Sequence, residues 1–182
     1  TEWVIDIARA CGYAAQSTSV PGVAQRTGAT TYYIEVFPQR LAELGGRRPV
    51  FGLNPVPGAL DAMVSSELLE TARQIGNGMA TSARTLVITS SSRTLTTQER
   101  MVPGDGRIDS SPLLGLVETH SREHHVLDMD ALARACGTSV SAVMLGAIAA
   151  SGIFPFERAA FEKAIADSGR GVQQSLDGFA RA

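Results

Sequence analysis

The stretch Val20-Pro21-Gly22-Val23-Ala24-Gln25-Arg26-Thr27-Gly28 organises the reading of this chain. It joins two strand-like runs. Before it, residues 13–20 alternate, with Tyr13, Ala15, Ser17 and Ser19 on one side and Ala14, Gln16, Thr18 and Val20 on the other. After it, Thr30-Thr31-Tyr32-Tyr33-Ile34-Glu35-Val36-Phe37 is rich in β-branched and aromatic residues and is expected to stop at Pro38. Within the connector, Pro21 stiffens the strand exit, and Gly22 permits a tight turn or a close approach. Residues 23–27 then suit one helical turn with free N–H groups near Gly22. Such a terminus attracts anions, and Arg26 adds a two-pronged donor. Gln25 offers both a donor and an acceptor. The plainer reading, a surface loop whose arginine packs on a neighbour, stands beside this one on chemistry alone.

Working outward, residues 2–11 form a helical pattern with Gly12 at its stop. Residues 41–48 are a polar, Gly-containing linker. Val50-Phe51-Gly52-Leu53 is a short apolar run expected as a buried parallel strand. Residues 60–75 carry Leu60, Met63, Val64, Leu68, Ala72 and Ile75 at helical spacing, and Gly76-Asn77-Gly78 ends that run. A strand is expected at 84–90, and a polar excursion with a turn at Pro103-Gly104-Asp105-Gly106 over 91–109. A short helix at 112–120, a strand at 126–128 and a helix at 129–136 stopped by Gly137 follow. Ser139 or Ser141 is placed to cap a helix over 142–150, where Gly146 among alanines predicts a close helix contact. Pro155 is placed to start a helix over 156–167, and residues 171–182 form one more. Ala8-Arg9-Ala10-Cys11-Gly12 and Ala133-Arg134-Ala135-Cys136-Gly137 look like the same helix-ending device.

Strands alternate with helices along most of the chain. That predicts an α/β fold, a three-layer α/β/α domain with a largely parallel central sheet. The 182 residues suit one domain with a full core. Hydrophobic residues at 44% and charged residues at 19% are a globular mixture, not a disordered one. A net charge of −2 provides no basic field for nucleic acid or an anionic membrane. No apolar run reaches the roughly 18 residues of a membrane span, and no signal peptide is evident. Cys11 and Cys136 form no CxxC pair and cannot hold an iron–sulfur cluster alone. Two isolated thiols fit a reducing, cytoplasmic setting. The first residue is Thr and the opening already has a mid-helix pattern, so a trimmed start is expected.

Several local patterns favour structure over chemistry. Gly104-Asp105-Gly106 is similar to the start of a thiamine diphosphate motif, but that motif needs a later Asn to complete a magnesium site, and no Asn follows Asn77. His120 and His124 stand four apart, a spacing that chelates metal on a helix, but a solvated polar helix end explains them with His125. Ser90-Ser91-Ser92 has phosphate-binding chemistry, with a flexible connector as the simpler account. Cys11 and Cys136 are expected as small buried groups, and Trp3 and Phe37 as core or interface anchors.

The pattern Gly22-Val23-Ala24-Gln25-Arg26-Thr27-Gly28, between strands, resembles the gamma-domain signature of 2-oxoacid:ferredoxin oxidoreductases. The nearer likeness is to the beta subunit of indolepyruvate ferredoxin oxidoreductase. Thr27 stands where that family commonly has a second Gly. Further matches are Val50-Phe51-Gly52-Leu53, Gly76-Asn77-Gly78, Asp130-Ala131-Leu132-Ala133 leading to Gly137, Val143-Met144-Leu145-Gly146-Ala147, and Ile153-Phe154-Pro155-Phe156. The closing helix is similar too, with Gly171 and Phe179 in place and Ser175 where Asn is frequent. The family domain begins with a strand and a Gly-rich turn, which this chain lacks ahead of its first helix.

The resemblance implies a single gamma-type domain over residues 1–182 within an enzyme that converts a 2-oxoacid and coenzyme A to acyl-CoA and carbon dioxide. Indolepyruvate or another arylpyruvate is the implied substrate. Electrons pass to ferredoxin. Thiamine diphosphate, Mg and iron–sulfur clusters are expected on partner domains, none bound by this chain alone. Its own part would be assembly and the coenzyme A or substrate approach, with Ser19, Gly22, Gln25, Arg26 and Gly28 as the contact set. Two rival classes remain from the residues alone: a stand-alone nucleotide- or phosphate-binding α/β protein, and a purely structural interaction domain.

Overall fold

The computed structural model describes residues 1–20, 30–169 and 171–182. Helix α1 (Glu2–Ala10) buries Val4, Ile5, Ile7 and Ala8 and gives way at Gly12, whose φ of 81° suits a residue without Cβ. Strands β1 (Tyr13–Val20) and β2 (Thr31–Arg40) pair antiparallel as a separate two-stranded ribbon. Pro38 does not end β2. The strand continues to Arg40, and Pro38 sits where the register shifts between Tyr13 and Ala15, where a missing N–H breaks no regular ladder bond.

The main sheet has the order β3-β4-β5 and is wholly parallel: β3 (Ala62–Ser65), β4 (Leu86–Ser90), β5 (Glu123–Leu127). Alternation along β4 sorts its neighbours. Val87, with Met63, meets Leu68, Ile75 and Val117 of helices α2 (Leu68–Gly76) and α4 (Ser111–His120). Leu86 and Ile88 meet Met129, Ala133, Val143 and Ala147 of α5 (Met129–Cys136) and α6 (Val140–Ala150). The three-layer α/β/α arrangement with a parallel central sheet is as expected.

Three further element assignments need correction. Residues 50–53 are not a strand; they form an irregular loop in which Val50 is 95% and Leu53 71% exposed. The parallel strand lies twelve residues on, inside the run taken as helix. Residues 60–75 divide into β3 and α2 because Glu67 accepts the Glu70 N–H at 2.6 Å and caps a helix beginning at Leu68. The helical spacing of Met63 and Val64 with Leu68 bridged that boundary by coincidence. The helix expected from Pro155 begins later, as α7 (Arg158–Ala166), with Glu157 in an extended conformation before it and Phe154 and Phe156 stacked on each other at 5.3 Å ahead of that.

Beyond the sheet, α1, α6, α7 and α8 (Val172–Arg181) share a core of Val4, Ile7, Leu145, Phe161, Ile165 and Phe179, and Ile34 of the ribbon packs on it. Each such buried side chain contributes about 1.5–3 kcal/mol. Gly146 brings α6 against the end of α8: a Cβ there would lie 2.9 Å from the Phe179 carbonyl carbon and from Ala182 Cβ. The repeated helix-ending device holds for α5 in full. Gly137 has φ 62°, and Thr138 N–H bonds Ala133 O at 3.0 Å. Cys11 and Cys136 are half-buried and free rather than fully buried. Among the described residues no single helix is long and apolar enough to cross a membrane.

Candidate functional site

Open parallel sheets bind ligands beyond the carboxyl ends of their strands. Here that edge is closed by the chain's own polar groups. At the end of β3, Glu67 takes the Glu70 N–H with Oε2 and the Thr94 N–H, at 2.9 Å, with Oε1. Ser65 Oγ donates to Glu67 O at 2.8 Å, and Leu68 N–H bonds Ser92 O. A carboxylate therefore occupies the start of α2, where an external anion would otherwise be welcome. At the end of β4, Ser90 Oγ accepts from Met129 N–H and Ser92 N–H and hydrogen-bonds Ser92 Oγ at 2.8 Å. The serine run is a structural tie from β4 to α5, with the Ser90 hydroxyl fully buried.

The excursion after β4 is built around an ion pair that the sequence reading passed over. Its short helix α3 (Thr97–Met101) opens with a capping box, in which Thr96 Oγ1 accepts from Glu99 N–H and Glu99 Oε2 accepts from Thr96 N–H at 2.8 Å. Arg93 holds the same carboxylate with both terminal nitrogens, at 2.8 and 2.5 Å, and its other donors reach Ser110 Oγ and Ile108 O. Ile108 N–H adds a bond at 2.9 Å. The side chains are 1% exposed for Glu99 and 11% for Arg93. The Arg93 guanidinium, with the Ile108 and Thr96 amides behind it, keeps the Glu99 carboxyl far below the usual carboxylate range. Every strong group here is spent on another, so the pair clasps the loop. The Thr96-Thr97-Gln98-Glu99 spacing was the available signal.

The open space extends from the β3 end of this edge to the ribbon. A cleft of about 2060 Å³ is lined by residues of the ribbon, of β3 and α2, and of the excursion after β4, among others. Ser19, Tyr33, Glu35, Phe51, Glu67 and Arg73 border it. Tyr33 Oη donates to Glu35 Oε1 at 2.5 Å, and Glu35 Oε2 accepts the Gly52 N–H at 2.7 Å. Burial first, then the Glu35 carboxylate, pushes the Tyr33 hydroxyl up to about 12. Of the contact set read from the sequence, Ser19 is at the cleft, on β1 opposite Tyr32. Gly22, Gln25, Arg26 and Gly28 lie outside the described residues.

The other local patterns resolve as structure. Gly104 has φ 93°, and Asp105 Oδ1 accepts from Arg107 N–H, which is turn chemistry. His120 Nδ1 meets Leu116 O, His124 Nδ1 meets Ser121 Oγ, and His125 meets Glu123, so the three imidazoles have separate partners. Among the described residues no three His, Cys, Asp or Glu side chains gather as a metal site would require. Trp3 packs against the helical core, and Phe37 lines the cleft.

Comparison with known proteins agrees with this architecture. The pyruvate oxidoreductase subunit PORC of Thermotoga maritima superposes with a TM-score of 0.61 at 15% identity, over 99% of this chain and 84% of that one. The gamma subunit of the keto/oxoacid ferredoxin oxidoreductase of Geobacter sulfurreducens gives 0.56 at 12% identity, over 98% and 83%. Both show a shared fold. A search of curated proteins finds no match. A family model for pyruvate ferredoxin/flavodoxin oxidoreductase matches residues 1–182, and the chain belongs to that family.

Proposed function

We propose that residues 1–182 are one gamma-type domain of a 2-oxoacid:ferredoxin oxidoreductase, which serves as a separate subunit or part of a longer chain. The observation that carries this reading is the family match over residues 1–182. In it, the whole enzyme joins the acyl group of indolepyruvate or another arylpyruvate to coenzyme A, releases carbon dioxide and passes two electrons towards ferredoxin. The preference for an arylpyruvate rests on the sequence resemblance described above.

The described residues do not fit the cofactors such an enzyme needs. Cys11 and Cys136 are the chain's two thiols and stand at the ends of separate helices, too few for a cluster. The carboxylates at the sheet edge are engaged: Glu67 with backbone amides, Glu99 with Arg93. Thiamine diphosphate, magnesium and the clusters are therefore assigned to partner domains, and no step is routed through this chain. Its role is assembly and the approach of coenzyme A or substrate. The contact set Ser19, Gly22, Gln25, Arg26 and Gly28 belongs to the β1–β2 ribbon and its connector, with Arg26 meeting an anionic group and Gln25 orienting it.

Affinity purification of the chain from its own cells tests the assignment, and a brown, thiamine-containing partner is the expected result. Arg26→Ala in the complex should cost roughly 10-fold or more in kcat/KM, the worth of one charge-assisted contact. Unchanged kinetics for both coenzyme A and 2-oxoacid would defeat the contact role. A complex that falls apart on size exclusion would favour a purely structural domain instead. A thermal shift with a phosphate ligand, without partners, would favour a stand-alone binding protein.

A further inference from the structure

Three side chains of the ribbon bond one irregular loop, and a fourth, that of Tyr33, bonds one of the three. Gln16 Nε2 donates to Gly52 O at 3.0 Å, and Thr18 Oγ1 donates to Leu53 O at 2.8 Å. Glu35 accepts the Gly52 N–H and, on its other oxygen, the Tyr33 hydroxyl. These four residues form two cross-strand pairs, Gln16 with Glu35 and Thr18 with Tyr33, so they share one face of the ribbon. Of the neighbouring positions, Ile34 packs on the helical core. The ribbon is thus anchored independently of the loop.

The loop has little else to hold it. Val50 and Leu53, its large apolar residues beside Phe51, are 95% and 71% exposed. Its attachment is polar, mostly exposed, and centred on one carboxylate. Glycines with left-handed backbone flank it: Gly45 and Gly46 before, at φ 57° and 82°, and Gly58 after, at φ 74°. A segment with few buried apolar contacts and solvent-exposed hydrogen bonds belongs to the low-stability end of a fold and opens locally.

We propose that residues 50–54 are a strap, latched onto the β1–β2 ribbon by Glu35 and able to open as a unit while the ribbon stays in place. Glu35 is the latch because its two oxygens serve both the strap, through Gly52, and the ribbon, through Tyr33. Tyr33, Glu35 and Phe51 all line the large cleft, so the strap is a movable part of its wall. Release widens the cleft beside the ribbon and frees the Glu35 carboxylate to face it. This inference does not depend on the functional reading above.

Amide hydrogen exchange resolved by residue tests it on the full chain. In the wild type, the Gly52 amide should be protected, but less than Val87 in the central strand. Glu35→Ala should speed exchange at Gly52 by on the order of 10-fold or more, the effect of losing one charge-assisted bond. Glu35→Gln keeps an acceptor without the charge and should fall between the two. Val87 and the ribbon amide of Ile34 should keep wild-type rates in both variants. A Gly52 amide that is unprotected in the wild type, or unchanged in Glu35→Ala, overturns the latch. Exchange that rises equally at Ile34 overturns the strap as a unit separate from the ribbon. If Glu35→Ala does not fold, the Glu35→Gln rates decide between the same outcomes.

Discussion

Two glycine-to-alanine substitutions should move stability in opposite directions, because only one site has room for a methyl group. Both glycines lie inside helices, where alanine is intrinsically favoured by about 1 kcal/mol. At Gly115, in α4, an added Cβ meets nothing within 4 Å, so Gly115→Ala should stabilise by roughly 0.5–1 kcal/mol. At Gly146 the Cβ would run into the Phe179 carbonyl group, with its carbon at 2.9 Å, and into Ala182 Cβ at 2.9 Å. The obstacle is partly backbone, so α8 must shift or its end must come away. Fraying would expose Phe179, which is 5% exposed, stacks with Phe161 at 6.1 Å and carries Arg158 over its ring at 5.6 Å. Losing that burial costs about 1.5–3 kcal/mol. Overpacking costs about 1–3 kcal/mol, so the cheaper response is a strained shift. Net of the propensity gain, Gly146→Ala should destabilise by up to about 2 kcal/mol. In a chain of this size each kcal/mol moves Tm by about 2–4 °C. Denaturant unfolding of the two variants with the wild type measures the difference directly. A Gly146→Ala protein at least as stable as the wild type would refute the close packing of α8 on α6.

Glu99 provides a pH test. Its carboxyl is held low by Arg93 in the folded chain, so its contribution is present above the ordinary carboxylate pKa of about 4.3 and is lost as pH falls towards the folded value. Wild-type Tm should therefore drop below about pH 4. Glu99→Gln should be less stable at pH 7 and show a shallower acid drop, and parallel Tm–pH curves would count against the clasp. Thr85 is a buried junction whose Oγ1 donates to Leu60 O at 3.0 Å and accepts from Thr81 N–H at 3.1 Å. Thr85→Val keeps the shape and orphans both backbone groups, so chemical denaturation should show a loss of about 1–3 kcal/mol. A change below about 0.5 kcal/mol would mean that those groups find other partners.

The sequence made the parallel sheet and its helices legible where local signals and tertiary burial agree. β4 is apolar at Leu86, Val87 and Ile88 because both its faces are covered, and such a run has few other homes. Gly137 marks a helix stop because only its φ of 62° lets the chain leave α5 as it does. The misplaced strand at 50–53 shows the opposite case. Val50-Phe51-Gly52-Leu53 has strand composition, but a strand also needs a partner, and these residues are held by side chains from the ribbon instead. Those bonds join positions more than 15 residues apart, which no periodicity encodes.

The candidate site was less legible than the fold for a related reason. Residue type announced chemistry at Ser90, Ser92 and the histidines, but chemistry needs groups left free. Ser90 has its hydroxyl consumed by Met129 and Ser92, and Glu67 has each oxygen taken by an amide. Tyr33 and Glu35 are partners on one strand, and Glu35 also takes the Gly52 amide of an irregular loop, so their place at the cleft arises only when β2 and that loop are brought together. The polar residues at the sheet edge serve to close it, and the accessible surface is displaced to the ribbon side. In this arrangement Glu67, Glu99 and Arg93 are committed to holding the sheet edge and its loop in shape, and the ribbon side is where the cleft stays open.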